Sequence, residues 1–291
     1  MPHLTEVAEN HLNQLSDENL FSVLYSLGEF YKRQGLYTLA QPWYEQCVSK
    51  LKSRVGVNHP STARSLNNLA ILYKNMGRYE DAEPIYIQAL ELKKQLLGVN
   101  HPSTASSLNN LALLYSNMGR YEEAEPIYIQ ALELRKQLLG VNHPDTASSL
   151  NNLALLYSDM GRYDEAEPLY IQSLELYKQL LGENHPRTAL GLNNLANLYK
   201  NMGRYEDAEP IYIQALELRK QLLGVNHPDT ASSLNGLAKL YRDTERYDSA
   251  EPLFIQAVEI VERVLGETHP DTVKYRGDLE DFRGKQGDSE Q

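Results

Sequence analysis

Ser103-Thr104-Ala105-Ser106-Ser107-Leu108-Asn109-Asn110-Leu111-Ala112-Leu113-Leu114-Tyr115-Ser116-Asn117-Met118-Gly119-Arg120-Tyr121 is the stretch whose periodicity decides the fold. Leu108, Leu111, Ala112 and Tyr115 fall at i, i+3, i+4 and i+7, which lays one apolar stripe along an α-helix. Thr104, with Ser103 before it, is the candidate N-cap, and Pro102 blocks extension of the helix backwards. Gly119 supplies the left-handed residue that ends it. A second stripe follows at Ala124, Ile127, Tyr128, Ala131, Leu132, Leu134 and Leu138, with Pro126 near the start of that helix. Gly140-Val141-Asn142-His143-Pro144 then breaks the chain. The unit reads as helix, tight turn, helix, loop. Ala112, Ala124 and Ala131 let the helices approach closely, and Tyr115, Tyr121 and Tyr128 fill the space between them.

Outward from this unit the pattern repeats. The His-Pro dipeptide places His at 59, 101, 143, 185, 227 and 269, a constant step of 42 residues. A period of this length signals a repeat array whose size is not limited by one central core. Six helix pairs are expected, over 19–54, 61–98, 103–140, 145–182, 187–224 and 229–266. The first is divergent but keeps Tyr31, Gly35, Tyr37, Ala40, Pro42 and Tyr44 in register with Tyr73, Gly77, Tyr79, Ala82, Pro84 and Tyr86. Residues 1–18 read as a lead-in, 271–283 as a charged capping helix and 284–291 as a disordered tail.

Composition narrows the function classes. The formal charge is −11 over 291 residues, a poor match to phosphate-backbone binding, so no nucleic-acid partner is expected. No run of 18 apolar residues occurs, and Met1 to Glu6 has no basic-then-apolar leader, so no membrane partner and a cytoplasmic location are expected. One cysteine, Cys47, precludes an internal disulfide and suits a reducing compartment. Trp43 and Cys47 read as packing residues. Six His spread one per unit cannot share one zinc ion, whose ligand bonds are about 2 Å. Acidic clusters such as Glu80-Asp81-Glu83 complement a helix dipole. No nucleophile–base pair, phosphate loop or cofactor fingerprint occurs, so no enzyme, catalytic residue, metal or cofactor is expected.

The run His101-Pro102-Ser103-Thr104-Ala105, Leu108-Asn109-Asn110-Leu111-Ala112, Gly119-Arg120-Tyr121-Glu122-Glu123-Ala124-Glu125-Pro126 resembles the tetratricopeptide repeat of the kinesin light chain type. The resemblance covers about residues 19–275; the near-identity of units two to five points to recent duplication, and a bacterial, cyanobacterial-like homologue is expected. It implies an all-α, right-handed superhelical solenoid of six 42-residue helix pairs plus a C-terminal capping helix. It further implies a protein- or peptide-binding adaptor whose concave groove, lined by the first helix of each pair, takes extended peptides that are acidic with aromatic residues. Only Met1 to Glu18 precede the first unit, too short for a coiled coil, so a motor heavy chain is not expected as a partner. A self-assembling structural role is the alternative, and the oligomeric state stays open.

On that groove two rows of candidate ligand contacts follow. One is an amide ladder, Asn67, Asn109, Asn151, Asn193 and Asn235, able to clamp a peptide backbone or, alternatively, to bridge neighbouring helices. The other, seven residues on, is Lys74, Ser116, Ser158, Lys200 and Arg242, joined on the same face by Arg64 and Lys239. The face is thus expected to be basic at both ends and polar in the middle, favouring acidic peptides in a salt-sensitive way.

Overall fold

The computed structural model describes residues 16–289. Among them are thirteen α-helices and no strand. They are α1 (Asp17–Arg33), α2 (Tyr37–Arg54), α3 (Pro60–Asn75), α4 (Tyr79–Leu97), α5 (Pro102–Asn117), α6 (Tyr121–Leu139) and α7 (Pro144–Asp159). There follow α8 (Tyr163–Leu181), α9 (Pro186–Asn201), α10 (Tyr205–Leu223), α11 (Pro228–Asp243), α12 (Tyr247–Leu265) and α13 (Pro270–Ser289). The chain divides into two compact units, Met1–Val141 and Asn142–Gln291. In the first, α1, α3 and α5 pack on α2, α4 and α6, and α2 and α4 pack on the first helix of the following pair. In the second, α7, α9 and α11 pack on α8, α10 and α12, α8 and α10 reach the following pair, and α13 closes on α12.

Most of the expected lead-in lies outside the described residues. Within the remainder, Ser16 already caps α1, its Oγ accepting from the Asn19 N–H at 3.4 Å. At the other end α13 runs to Ser289, past Arg283, so residues 284–289 of the expected tail are helical and 290–291 lie outside the described residues.

The N-cap of the first helix of each pair after α1 lies three residues before the position of Thr104. Pro102 is the first residue of α5, and His101 is the N-cap, Nδ1 accepting from the Ser103 N–H at 3.0 Å. The same bond recurs from His59 to His269. Proline suits the first helical position because its missing N–H has no intrahelical partner there. Thr104 is instead fully inside, its Oγ1 donating to the Gly98 carbonyl at 2.9 Å and tying the preceding loop to the helix. At the C-terminus Gly119 has φ 72°, its N–H donates to the Ser116 carbonyl at 2.9 Å, and the Arg120 N–H reaches back to the Tyr115 carbonyl at 2.9 Å. That pair of bonds satisfies the last carbonyls of the helix.

Between helices, Ala112, Ala124 and Ala131 are completely buried and Tyr128 almost so, which places the small residues at the close approaches and the ring in the gap. Trp43 and Cys47 join Leu20, Phe21, Leu24 and Leu51 in the core of the first pair. Pro126 is the sixth residue of α6, beyond the first turn, so that helix forgoes one backbone bond.

The Gly-Arg-Tyr turn carries a further joint. Arg120 lies 4.1 Å over the Tyr115 ring, bonds Glu123 on its own helix at 2.6 Å, and reaches back to Glu83 of the preceding pair at 2.8 Å. Arg204 repeats this with Tyr199, Asp207 and Glu167, and Arg246 with Tyr241 and Glu209. The acidic residues at the second-helix starts therefore serve as arginine partners as well as complementing the helix dipole.

Candidate functional site

The amide ladder sits deeper than free ligand contacts would. Asn67, Asn109, Asn151, Asn193 and Asn235 are between 5% and 9% exposed. Asn110 Nδ2 donates to Asn67 Oδ1 at 3.2 Å, and Asn194 Nδ2 to Asn151 Oδ1 at 3.0 Å. Asn193 Oδ1 accepts from Ser233 Oγ at 3.0 Å. Asn67, Asn151 and Asn193 thus bridge to the next first helix, the alternative role raised for them above. First helices touch along α3–α5, α7–α9 and α9–α11, which brings these amides within bonding range. The last member differs. On α13 the matching position is Asp278, which has no donor to offer when ionised. Asn235 accordingly donates Nδ2 to Asp278 at 2.8 Å, and its buried Oδ1 is left without a partner.

In the second unit this row borders a recess of about 280 Å³ that gathers Ser158, Asn193, Lys200, Asn235 and Lys239. Its charge is less uniform than the row of basic residues implies. Lys239 is paired with Asp278 at 2.8 Å and Arg242 with Asp243 at 2.8 Å. Lys200 has no carboxylate within ion-pair distance among the described residues, and burial lowers its pKa against the pull of Asp243. A half-buried ammonium without a directly paired carboxylate can attract an anionic group, against the charge of Asp159, which also lines the recess.

The first unit presents the counterparts. Lys74 is half-buried with no carboxylate partner, and its pKa is lowered by burial and then by Lys32. Ser116 is 9% exposed and offers little surface. Arg64 departs from the row: its guanidinium lies 3.7 Å over the Phe21 ring and borders a different recess with Lys93.

One row escaped the sequence reading. Ile71, Leu113, Leu155 and Asn197 stand four residues after the ladder positions and three before the Lys74 row, hence on the same helix face. Leu155 and Asn197 both line the recess of the second unit. The signal was present in the i, i+4, i+7 spacing from Asn67 through Ile71 to Lys74. Lys239, the fifth member of the row, was named for its charge, whereas Ile71, Leu113 and Leu155 were given no role.

The tetratricopeptide repeat family model matches residues 19–95, 66–137, 103–179, 145–200, 187–260 and 237–291. Among solved structures, BtubC (BKLC) from P. vanneervenii aligns with TM-score 0.60 and 24% identity, covering 87% of this chain and 93% of that one. A Podosopora anserina putative kinesin light chain with nearly identical TPR-like repeats aligns at 0.58 and 27% identity over 70% of this chain and 97% of that one. A Rap protein complexed with competence and sporulation factor aligns at 0.65 and 17% identity, covering 98% of this chain and 80% of that one. No curated protein matches the sequence. Among the described residues no helix is long and apolar enough to cross a membrane.

Proposed function

The chain belongs to the tetratricopeptide repeat family, and from that premise we propose that it is a non-catalytic scaffold that binds extended peptide segments of partner proteins on the first-helix face. Repeats of this family generally mediate protein interactions. The observation that carries the reading is the recess on α7, α9 and α11, where Lys200, with no carboxylate within ion-pair distance among the described residues, stands among amides in a lining that also includes Asp159. Acidic side chains of the peptide pair with Lys200 and, in the first unit, with Lys74. Ser158 and the half-buried second Asn of each pair hydrogen-bond the peptide backbone. Leu155 and its counterparts Ile71 and Leu113 take apolar or aromatic side chains, the class that the kinesin light chain resemblance suggests.

Titration of fluorescein-labelled acidic, aromatic peptides tests this. Lys200→Gln is expected to weaken binding about tenfold, the loss of one charge-assisted contact, with a shallower salt dependence. Affinity unchanged in Lys200→Gln and in Lys74→Gln alike would sink the reading.

A further inference from the structure

The pair α3–α4 differs from every other pair at one place. Lys93 on α4 corresponds by register to Arg135, Tyr177 and Arg219, and Arg64 on α3 corresponds to Ser106, Ser148 and Leu190. In those later pairs the second-helix group meets a neutral acceptor. Arg135 bonds Ser106 Oγ, Tyr177 bonds Ser148 Oγ, and Arg219 bonds Ser233 Oγ and the Asp229 carbonyl. Between α3 and α4 two cations occupy the two positions. Lys93 donates to Ser107 Oγ on α5 at 2.7 Å, the bond that Arg219 repeats with Ser233, and the Arg64 guanidinium lies 3.7 Å over the Phe21 ring. Among the described residues neither has a carboxylate within 4.0 Å. Both border a recess of about 340 Å³, and burial pushes the Lys93 ammonium down to about 8.

The rest of that lining points the same way. Ser61 and Ser103, in the first turns of α3 and α5, border the recess beside the two cations, with Leu96 and Leu97 on the remaining side. First turns carry the positive end of the helix dipole. Residues that carry donors therefore border the recess from three helices: Arg64 and Ser61 from α3, Lys93 from α4 and Ser103 from α5. A planar carboxylate accepts within one plane, whereas a tetrahedral dianion accepts from several directions at once and neutralises both cations.

We propose that this recess binds a phosphate monoester group, held by Arg64 and Lys93 and oriented by Ser61 and Ser103. The group is supplied either as free phosphate or on a phosphorylated side chain. The site shares no residue with the recess of the second unit, so its failure and the failure of the peptide reading are separable.

Thermal unfolding of the whole chain in sodium phosphate against sodium chloride at equal ionic strength is the test. Inorganic phosphate at ten times its dissociation constant is expected to raise Tm by about 3 °C. Arg64→Gln and Lys93→Met each remove the response. Arg64→Gln changes an exposed side chain and so keeps the test valid if Lys93→Met fails to fold. A phosphoserine peptide that binds more tightly than inorganic phosphate, with its unphosphorylated twin inert, identifies a phosphorylated side chain as the source; equal binding identifies the free anion. No Tm difference between phosphate and chloride, or an undiminished difference in both variants, overturns the proposal.

Discussion

Glu245 holds φ 59° at the turn where Gly77, Gly119, Gly161 and Gly203 stand in the preceding pairs. A side chain in the left-handed region costs about 1–2 kcal/mol against glycine. Glu245→Gly is therefore expected to stabilise the chain by about 1 kcal/mol, read as a higher urea midpoint at unchanged m; a lower midpoint would mean that the carboxylate contributes something the backbone cost conceals. Residues also mark where the sequence stopped being legible. The 42-residue step of His101 and its kin was plain, but their capping role was not, because imidazole lies outside the usual capping set of Ser, Thr, Asp and Asn. Asn109 and Asn151 could be placed on one helix face from spacing alone. Whether a neighbouring helix consumes them depends on the distance between first helices, which periodicity does not encode.

At the level of the element, the helix pairs were readable because breaks and stripes are local: His-Pro opens the first helix, Gly-Arg-Tyr closes it, and the second stripe restarts at once. The arginine joint was not readable, since Arg204 and Glu167 are 37 residues apart and nothing local connects them. Its pH behaviour follows from the carboxyls. Bonds to Arg246 hold Glu209 below its ordinary value, and Arg162 does the same for Glu165. A carboxyl with a lower folded than unfolded pKa adds stability that is present above the unfolded value, about 4.3 for Glu, and lost as pH falls through the folded value. The urea midpoint is thus expected to drop below about pH 4.3, and Arg246→Gln to flatten part of that drop. Parallel curves for the two proteins would remove the joint from the account of acid unfolding.

For the whole molecule, stability is expected to be additive along the chain, each pair owing its share to itself and to adjacent pairs. The C-terminal end is the place to test this. Phe282 on α13 is 1% exposed, with its ring centroid 5.2 Å from that of the fully buried Phe254. Phe282→Ala is expected to cost about 3 kcal/mol. Under local additivity, amide hydrogen exchange speeds up in α11 to α13 while α1 and α2 keep their protection. Uniform acceleration from end to end would instead mean one cooperative block. The arginine joint has a last consequence, for how such a chain changes its length. The arginines Arg120, Arg204 and Arg246 each meet a glutamate of the preceding pair, and at the first such turn Arg78 meets Gln41 in the same place. A copied stretch of one period therefore arrives with both halves of its seams already compatible. At the far end Glu251 receives Arg283 of α13 instead, so there a helix of different sequence closes the same kind of seam.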